Sequence, residues 1–435
     1  LRPNAGWIVA AVLFVLLILR DVLKEGLTRF FQSLGEWGYR RVAGYRPFWA
    51  LALRRYRQSL IREYHTLKVP FRPNRPLEME EIYVPLKVAR GKNTDAVDAQ
   101  AAIADHRRLV VTGAPGAGKT VLLKHLVLRY AQRGLDFPGD PIPIFLELHR
   151  LNESDDLRTQ LAEALDRHTF PNAARFLDAH LERGDLLFFF DGLDEVNREA
   201  REKVVQQISD LLTEYHKCRA VVTCRTAVYG GELDAWADAR LEIVEFNDHQ
   251  IRRFLASWEQ DMPAEKSVAH LLRTLRERPR IMQLSRNPLL LTIIAYLYAD
   301  TPFVLPHSRA EFYKKATDVL LEQWKGTRNR YKASHKRMVL RQLALFNQDR
   351  SLKEEERDRR SMGLIPVLEQ IREVLPALEL KQEDAEPLLD EIIERSGLML
   401  RLDGGEHYQF THLTLQEYFA AEALAEDWQE LMRRF

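Results

Sequence analysis

The sequence contains very little cysteine. Only Cys218 and Cys224 occur among 435 residues, which excludes a metal site built from several cysteines and argues against a disulfide framework. Net charge is almost absent as well, because 64 Lys and Arg oppose 63 Asp and Glu and leave +1. The low cysteine content favours a reducing compartment, and the chain length predicts about three compact units.

The small net charge conceals an uneven distribution. Residues 1–75 contain fourteen Lys and Arg and four Asp and Glu, a charge of +10, so the remainder of the chain carries −9. A basic arm on a mildly acidic body is typical of proteins that contact anionic lipid or nucleic acid.

Long uncharged runs are also rare, and the clearest one lies near the N-terminus. Residues 5–19 (AGWIVAAVLFVLLIL) carry no charge, but as a helix they reach about 22 Å, short of the ~20 residues that span a bilayer comfortably. A buried helix and a signal peptide are the alternatives, although no small-residue cleavage site follows. We predict a membrane anchor over residues 1–25, with the arginine-rich side and the following domains in the cytoplasm. Since the chain starts with Leu1, we expect its true N-terminus further upstream.

Residues 26–78 combine aromatic side chains with arginines. This mixture suits the headgroup layer of a membrane, but it also suits single-stranded nucleic acid or a helical linker with a solvated face. We predict a basic, aromatic juxtamembrane linker and do not expect nucleic acid as a partner. Pro70, Pro73 and Pro76 mark its end.

The strongest chemical signal lies at residues 109–121. Leu109–Val111 predicts a buried strand, and the residues after Thr120 have helical periodicity. The pattern GxxxxGKT between them binds nucleotide phosphates, because its glycines let backbone N–H groups converge and the helix N-terminus adds positive potential. The predicted phosphate-binding residues are Gly113, Ala114, Pro115, Gly116, Ala117, Gly118, Lys119, Thr120 and Val121.

Two residues of this loop have defined chemical roles. Lys119 can reach the β- and γ-phosphates, and the Thr120 hydroxyl can bind Mg²⁺. The sequence therefore predicts ATP or ADP and Mg²⁺ as cofactors.

The second chemical signal is the segment LLFFFDGLDEV at residues 186–196. Five apolar residues predict a strand buried on both faces, with Asp191 at its C-terminal end. Ligands of open α/β sheets bind at that end, so we predict that Asp191 holds Mg²⁺, most simply through water. Asp194 and Glu195 follow, and either carboxylate is a candidate for orienting the attacking water.

Further strands complete the predicted sheet. Residues 219–225 (RAVVTCR) end in Thr223 and Arg225. Arg225 can reach the γ-phosphate, and a surface salt bridge is the alternative. Other expected strands are 82–88, an edge strand because of Pro85, 142–148 and 241–246; helices are expected at 96–106, 154–167 and 173–183.

The region after residue 246 is predicted to be mainly helical. Asp248 is a candidate cap for a helix to Trp258, and Ser308 with Glu311 forms a capping box for a helix to about residue 324. Residues 331–349 and 364–395 are expected to be helices. Residues 397–401 and 407–410 flank Asp403-Gly-Gly and predict a β-hairpin.

The combination of VTGAPGAGKT, FFFDGLDEV and VVTCRT resembles the NACHT branch of the STAND signalling ATPases, which includes bacterial defence proteins and animal innate-immune receptors. The distinguishing feature is DGLDE, in which a small residue follows Asp191 and the acidic pair lies further on; most AAA+ ATPases have Glu directly after the Asp. The resemblance covers roughly residues 80–428. It includes four further segments: FNDHQIRRFL at 246–255, NPLLL at 287–291, LPHSRAEFY at 305–313 and QFTHLTLQEYF at 409–419.

The resemblance implies roles for two residues that the sequence alone explains more simply. It places Pro288 against the adenine, although proline is also a common first residue of a helix. It places His412 on the β-phosphate, although a lone histidine there is usually a cap or a core residue.

The expected fold is an α/β P-loop NTPase domain, with a parallel sheet flanked by helices, followed by a small helical domain and a winged-helix domain, after an N-terminal membrane-anchor helix. The expected boundaries are 1–25 for the anchor, 26–78 for the linker, 79–246 for the nucleotide-binding domain, 247–304 for the helical domain and 305–420 for the winged helix. Residues 421–435 are expected to begin a further, truncated helical segment.

The resemblance also implies a function. The expected protein is a signalling switch at the cell membrane, closed with ADP and forming a homo-oligomer with ATP, in antiphage defence or cell-death signalling. Slow, Mg²⁺-dependent ATP hydrolysis resets it. The alternative is a membrane-associated motor or transport ATPase. Family members normally continue into a repeat array that senses a trigger; this sequence ends at Phe435 without internal repeats, so the trigger is unknown.

Overall fold

The computed structural model describes residues 39, 41, 43–67, 77–91, 94–152, 156–196, 198–226, 228–300, 308–322, 329–351, 361–402, 405–411 and 413–426. The predicted anchor over residues 1–25 lies outside this set, as do most of the predicted linker residues before Ala43. Within the described ranges, no helix combines the length and the apolar character needed to cross a membrane.

A seven-stranded sheet forms the centre of the first domain. The strands of the molecule are β1 (Thr66–Leu67), β2 (Leu77–Glu78), β3 (Lys87–Ala89), β4 (Val97–Asp98), β5 (Arg108–Gly113), β6 (Ile142–Glu147), β7 (Leu186–Asp191), β8 (Arg219–Arg225), β9 (Ala239–Ile243), β10 (Met362–Gly363), β11 (Met399–Leu402) and β12 (His407–Phe410). The order in the large sheet is β4-β3-β9-β5-β8-β7-β6. Strands β9, β5, β8, β7 and β6 are parallel, whereas β3 is antiparallel to both of its neighbours.

Helices cover this sheet and form much of the described chain that follows it. They are α1 (Trp49–Tyr64), α2 (Met79–Ile82), α3 (Ala99–Asp105), α4 (Lys119–Ala131), α5 (Leu157–Arg167), α6 (Ala174–Arg183), α7 (Arg198–Glu214), α8 (Asp248–Ala256), α9 (Val268–Arg276), α10 (Pro279–Leu284), α11 (Pro288–Asp300), α12 (Arg309–Glu322), α13 (Ala333–Ser351), α14 (Leu364–Val374), α15 (Ala385–Ser396) and α16 (Leu413–Glu426). The residues of β7 and β8 are all buried, as expected of parallel strands covered on both faces.

Helix α1 is part of the nucleotide-binding domain, although the sequence placed it in the linker. It lies against α4, and Ala52, Tyr56 and Leu60, which share one face of the helix, are buried in the common core. The Tyr56 hydroxyl donates a hydrogen bond of 2.8 Å to the carbonyl of Pro143 in strand β6. The linker prediction therefore does not hold for residues 49–64.

Several predicted boundaries differ from the structure. The predicted edge strand starts at residue 82, which is the last residue of helix α2. From there to residue 91, only Lys87–Ala89 form a strand, β3, which pairs with β9. The cap of α8 is Asn247 rather than Asp248, because its side chain accepts from Gln250 N while the Gln250 side chain accepts from Asn247 N. The predicted helix over 364–395 is two helices, and a 3-10 turn at Leu375–Leu378 separates them.

The winged-helix domain is built on α12 to α16 and a three-stranded sheet. The predicted hairpin of β11 and β12 is present, with Met399 opposite Phe410 and Leu402 opposite His407. Strand β10 adds a third strand on β12, which the sequence did not indicate. Helix α16 continues through residue 420 to Glu426, so the predicted boundary at 420 lies inside a helix.

The packing of α1 leads to a test of its place in the core. Replacing Tyr56 by Phe removes the hydroxyl and leaves the Pro143 carbonyl without that donor, so we expect the free energy of unfolding to fall by about 1–3 kcal/mol. Tyr45→Phe is the matched control, because Tyr45 is 53% exposed, and it should change stability by less than about 0.5 kcal/mol. Calorimetric unfolding of the two variants measures the difference. Equal stability of both variants would show that the hydrogen bond from Tyr56 to Pro143 does not help to hold α1 on the domain.

Candidate nucleotide-binding site

The order of the strands brings the predicted site residues to one edge of the sheet. Strand β8 lies between β5 and β7, and all three run parallel. Their carboxyl ends therefore carry the phosphate loop, Thr223 with Arg225, and Asp191 side by side. Crevices at this edge are the usual ligand sites of open α/β sheets.

The phosphate loop has the backbone that its sequence predicts. Gly116 and Gly118 have φ angles of +72° and +95°, a region that side chains with a Cβ rarely adopt. Helix α4 begins at Lys119, whose Nζ donates to the carbonyls of Gly113 (2.8 Å) and Ala114 (3.2 Å). Burial lowers the pKa of Lys119 from its usual value, because desolvation disfavours the charged ammonium.

The residues of the predicted loop differ in how they face the site. The cavity at this edge has a volume of about 400 Å³, within the ~300–1,000 Å³ typical of ligand sites. Its lining includes Pro115, Gly116, Gly118, Lys119, Thr120 and Val121. Ala117 is buried, while Gly113 and Ala114 supply the carbonyls that hold Lys119.

Asp191 lies at the end of β7 in a network of hydroxyl groups. The Thr223 hydroxyl donates to Asp191 Oδ1 at 2.6 Å and accepts from the N–H of Gly192 at 2.9 Å. Burial raises the pKa of Asp191, and the hydrogen bonds from Thr223 and Thr120 oppose this effect. Thr120 and Asp191, predicted separately, therefore line the same cavity.

This pair of oxygen ligands fits a magnesium ion. No cluster of three or more His, Cys, Asp or Glu side chains that could hold a metal exists within the described residues. Mg²⁺ does not require such a cluster, since proteins usually hold it through one or two ligands, waters and substrate phosphates. Thr120 and Asp191 would hold it next to the phosphate loop.

Asp194 forms a buried ion pair with Arg225. Its Oδ2 lies 2.8 Å from Arg225 Nε, and its Oδ1 accepts from the backbone N–H of Arg225 at 3.0 Å. The side chain of Asp194 is only 3% exposed. Arg225 Nη1 is buried without a hydrogen-bond partner among the described residues, and Arg225 lines the cavity.

Glu195 has a different environment. Its side chain is 44% exposed, and its Oε2 lies 3.4 Å from Nδ1 of His149, just after strand β6. The hydrogen bond to Glu195 raises the pKa of His149. Both candidate carboxylates line the cavity, but both oxygens of Asp194 bind Arg225, whereas Glu195 lies on the solvent side. Sequence reasoning did not identify His149, because nothing in its local pattern marks it.

The remaining cavity wall is apolar and comes from distant parts of the chain. Pro288 and Leu289 at the start of α11 face it, and the predicted contact of Pro288 with an adenine stays a prediction. The other apolar lining residues are Leu67, Met79, Ile82, Val84, Leu86, Phe246 and Phe254. Such a wall suits the flat face of a nucleobase. The contribution of residues 79–86 was not predicted, since the sequence indicates only an edge strand over residues 82–88 here.

The winged-helix domain also reaches the site. Leu400 of β11 and Thr411, just after β12, line the same cavity as the phosphate loop. Strand β11 contacts the short turn Leu193–Glu195 that carries the acidic pair. His412 lies outside the described residues, so its predicted contact with a phosphate stays a prediction.

Comparison with protein families agrees with this architecture. Residues 107–262 match the model of the NACHT domain, and residues 309–424 match the model of the winged helix-turn-helix domain C-terminal to NACHT. Together the two models cover more than half of the chain. No curated protein matches it.

Solved structures give weaker similarity. Drosophila ORC bound to DNA is 14% identical, covers 74% of this chain and 83% of its own, and has a TM-score of 0.30. Aeropyrum pernix ORC2, in ADPNP-ADP complexes, is 13% identical, covers 75% of this chain and 93% of its own, and has a TM-score of 0.33. A single-residue variant of Thermotoga maritima RuvB is 12% identical, covers 72% of this chain and 86% of its own, and has a TM-score of 0.30. Similarity this low carries no functional information.

The phosphate loop, the buried Asp191 and the two consecutive family matches lead to one conclusion: the chain belongs to the NACHT family of P-loop NTPases and carries the winged-helix domain that follows the NACHT domain.

Proposed function

We propose that this protein is a nucleotide-dependent signalling switch, closed with ADP and forming homo-oligomers with ATP. The observation that carries the proposal is the position of Leu400 and Thr411, which place the winged-helix domain in the wall of the nucleotide cavity. A ligand shifts an equilibrium between closed and open states only by its different affinity for the two. Residues of the winged helix at the nucleotide provide such a difference.

The acidic turn offers a direct connection between hydrolysis and the winged helix. Leu193–Glu195 contacts β11 and also carries the two candidate carboxylates. A displacement of this turn on exchange of ADP for ATP would act on β11 without an intermediate element. The same contact would be broken if the winged-helix domain moved away from the turn.

The geometry favours Glu195 as the general base and Asp194 as a positioning residue. A base needs an oxygen that is accessible to a water molecule, and Glu195 is partly exposed. Asp194 instead holds Arg225, whose Nη1 has no hydrogen-bond partner among the described residues and can donate to a phosphate oxygen. Thr120 and Asp191 would hold Mg²⁺, which would neutralise phosphate charge. Lys119 would exchange its two carbonyl partners for phosphate oxygens.

A motor or transport ATPase is the alternative, since it would use the same phosphate loop. Two further elements of the proposal come from the sequence. We propose the cell membrane as the location, through an anchor at residues 1–25 with the NTPase in the cytoplasm. We also propose antiphage defence or cell-death signalling as the role, by resemblance to the family, with the trigger still unknown.

The role of Lys119 leads to the first prediction for this site. Lys119→Ala removes the loop cation, and hydrogen bonds to charged groups contribute ~1.5–3 kcal/mol, so affinity for ADP and ATP should fall by roughly ten- to a hundredfold. Titration with a fluorescent nucleotide measures it. Lys217→Ala, at an exposed position before β8, should bind as the wild type does. Unchanged affinity in Lys119→Ala would remove the phosphate loop from the proposal.

The second prediction separates the two carboxylates. Glu195→Gln should lower turnover by about a hundredfold or more and keep nucleotide affinity, because only proton abstraction is lost. Asp194→Asn leaves Arg225 without its charged partner, so it should lower the free energy of unfolding by about 3–5 kcal/mol. Phosphate release and thermal unfolding of both variants provide the measurements. A Glu195→Gln protein that hydrolyses ATP at the wild-type rate would contradict the assignment of Glu195.

The third prediction distinguishes a switch from a motor. A switch closed over ADP should retain ADP through purification, so denaturing the fresh protein should release an amount of ADP close to the amount of protein. Exchange into ATP should then increase the mass of the particles, measured by mass photometry. Substoichiometric ADP together with an unchanged mass in ATP would favour the motor.

A further inference from the structure

The side chain of Asn287 joins the helical domain to the phosphate loop. Its Oδ1 accepts from the backbone N–H groups of Leu289 (3.0 Å) and Leu290 (3.3 Å), which makes Asn287 the N-cap of helix α11. Its Nδ2 donates to the carbonyl of Pro115 in the phosphate loop at 3.0 Å. One side chain therefore serves two structures that are 172 positions apart in the chain.

Both contacts together determine the identity of this residue. Two backbone N–H groups require an oxygen on one side of the side chain, and the Pro115 carbonyl requires a donor on the other. A side-chain amide supplies both. Serine or aspartate can cap the helix, but neither also offers an N–H group to the loop.

The approach between α11 and the loop is too close for a larger residue in the loop. A Cβ on Gly116 would lie 2.7 Å from Leu289 Cβ and 3.1 Å from Asn287 Oδ1. Glycine at position 116 is therefore needed for this contact as well as for its positive φ. The start of α11 is itself held in place by two hydrogen bonds between Arg286 and Phe246. Phe246 N donates to Arg286 O at 2.9 Å, and Arg286 Nη1 donates to Phe246 O at 2.9 Å.

The bond to Pro115 fixes the orientation of the Pro115–Gly116 peptide. In a planar trans peptide, the C=O and the following N–H point in opposite directions. With the Pro115 carbonyl directed at Asn287, the Gly116 N–H points away from α11. Pro115 has no N–H of its own, so the direction of the Gly116 N–H matters for the number of donors that the loop can offer to a phosphate.

We propose that Asn287 is a positioning residue of the phosphate loop. Asn287 holds the Pro115–Gly116 peptide with its N–H towards the phosphates, and this orientation depends on the position of α11 against the loop. When α11 moves away from the loop, the bond to Pro115 is lost and phosphate binding weakens. The inference rests on the proposed nucleotide function and adds to it a link between the helical domain and phosphate affinity.

The test uses three variants of the whole 435-residue chain. Asn287→Ser keeps an acceptor for the cap and removes the amide Nδ2 that donates to Pro115. Asn287→Asp also keeps the cap, but it turns a carboxylate oxygen towards the Pro115 carbonyl. Asn247→Ser is the matched control, since Asn247 caps α8 in the same domain by accepting from Gln250 N at 2.9 Å.

The measurements compare a ligand with phosphates and one without. A single hydrogen bond lost in Asn287→Ser should weaken ADP binding by about two- to tenfold and speed ADP release accordingly. Asn287→Asp should weaken it further. Adenosine, measured by competition, should bind both variants as it binds the wild type, because the apolar wall is unchanged. Nucleotide-stripped Asn287→Ser should still unfold cooperatively, with a melting temperature below that of Asn247→Ser by no more than the loss of one hydrogen bond explains. Asn247→Ser should bind ADP normally.

The outcomes that would overturn the inference are distinct. Wild-type ADP affinity in both Asn287 variants would show that the Pro115 bond does not position the loop. An equal loss for ADP and adenosine would show that Asn287 only supports α11, which lines the base side of the cavity. Absence of ADP binding in the wild type, or an unaffected Lys119→Ala, would overturn the proposed function and this inference with it.

Discussion

The buried ion pair between Asp194 and Arg225 is the interaction on which the arrangement of the site depends. Arg225 is the last residue of strand β8, and Asp194 lies in the turn after strand β7. The ion pair therefore joins the carboxyl ends of these two neighbouring strands. Both partners are almost fully buried, and a buried charge is tolerated only when it is paired and hydrogen bonded. Asp194 satisfies Arg225 at Nε and at the backbone N–H. This fixes the turn whose next residue, Glu195, faces the solvent side of the cavity.

The cavity is assembled from four sets of residues, and even the members of one set can be far apart in sequence. The phosphate loop and Asp191 supply the polar floor, residues 79–86 and Phe246 supply an apolar wall, α11 supplies Pro288, and the winged helix supplies Leu400 and Thr411. A ligand that fills this cavity contacts all four, so its binding free energy depends on their relative positions. A nucleotide bound in this cavity would therefore be thermodynamically linked to the domain arrangement, and such linkage acts in both directions.

The sequence predicted the parts of the site that depend on local pattern. The strand, glycine loop and helix around Lys119 follow from spacing, and the apolar run before Asp191 identified a buried strand. The sequence did not distinguish Asp194 from Glu195, because two adjacent carboxylates are equivalent until the partner of each is known, and Arg225 is 31 positions away from Asp194. Helix α1 was missed as a core element because its arginines suggested a membrane surface. Its buried face of Ala52, Tyr56 and Leu60 can be recognised only once its packing against α4 is known. Contacts between domains, such as that of Asn287, have no local signature.

The electrostatics of the site explain why a nucleotide should stabilise it. Burial lowers the pKa of Lys119 and raises the pKa of Asp191, so the cationic form of one and the anionic form of the other are both disfavoured by the fold. A phosphate next to Lys119 and a cation next to Asp191 would each compensate one of these charges, and together they add little net charge to the site. Arg225 Nη1 is buried and has no hydrogen-bond partner among the described residues, so a phosphate oxygen would compensate this group as well. A ligand that binds the folded state and not the unfolded chain stabilises the fold. Because these buried groups are costly without a partner, bound nucleotide and Mg²⁺ would contribute to the stability of the folded site.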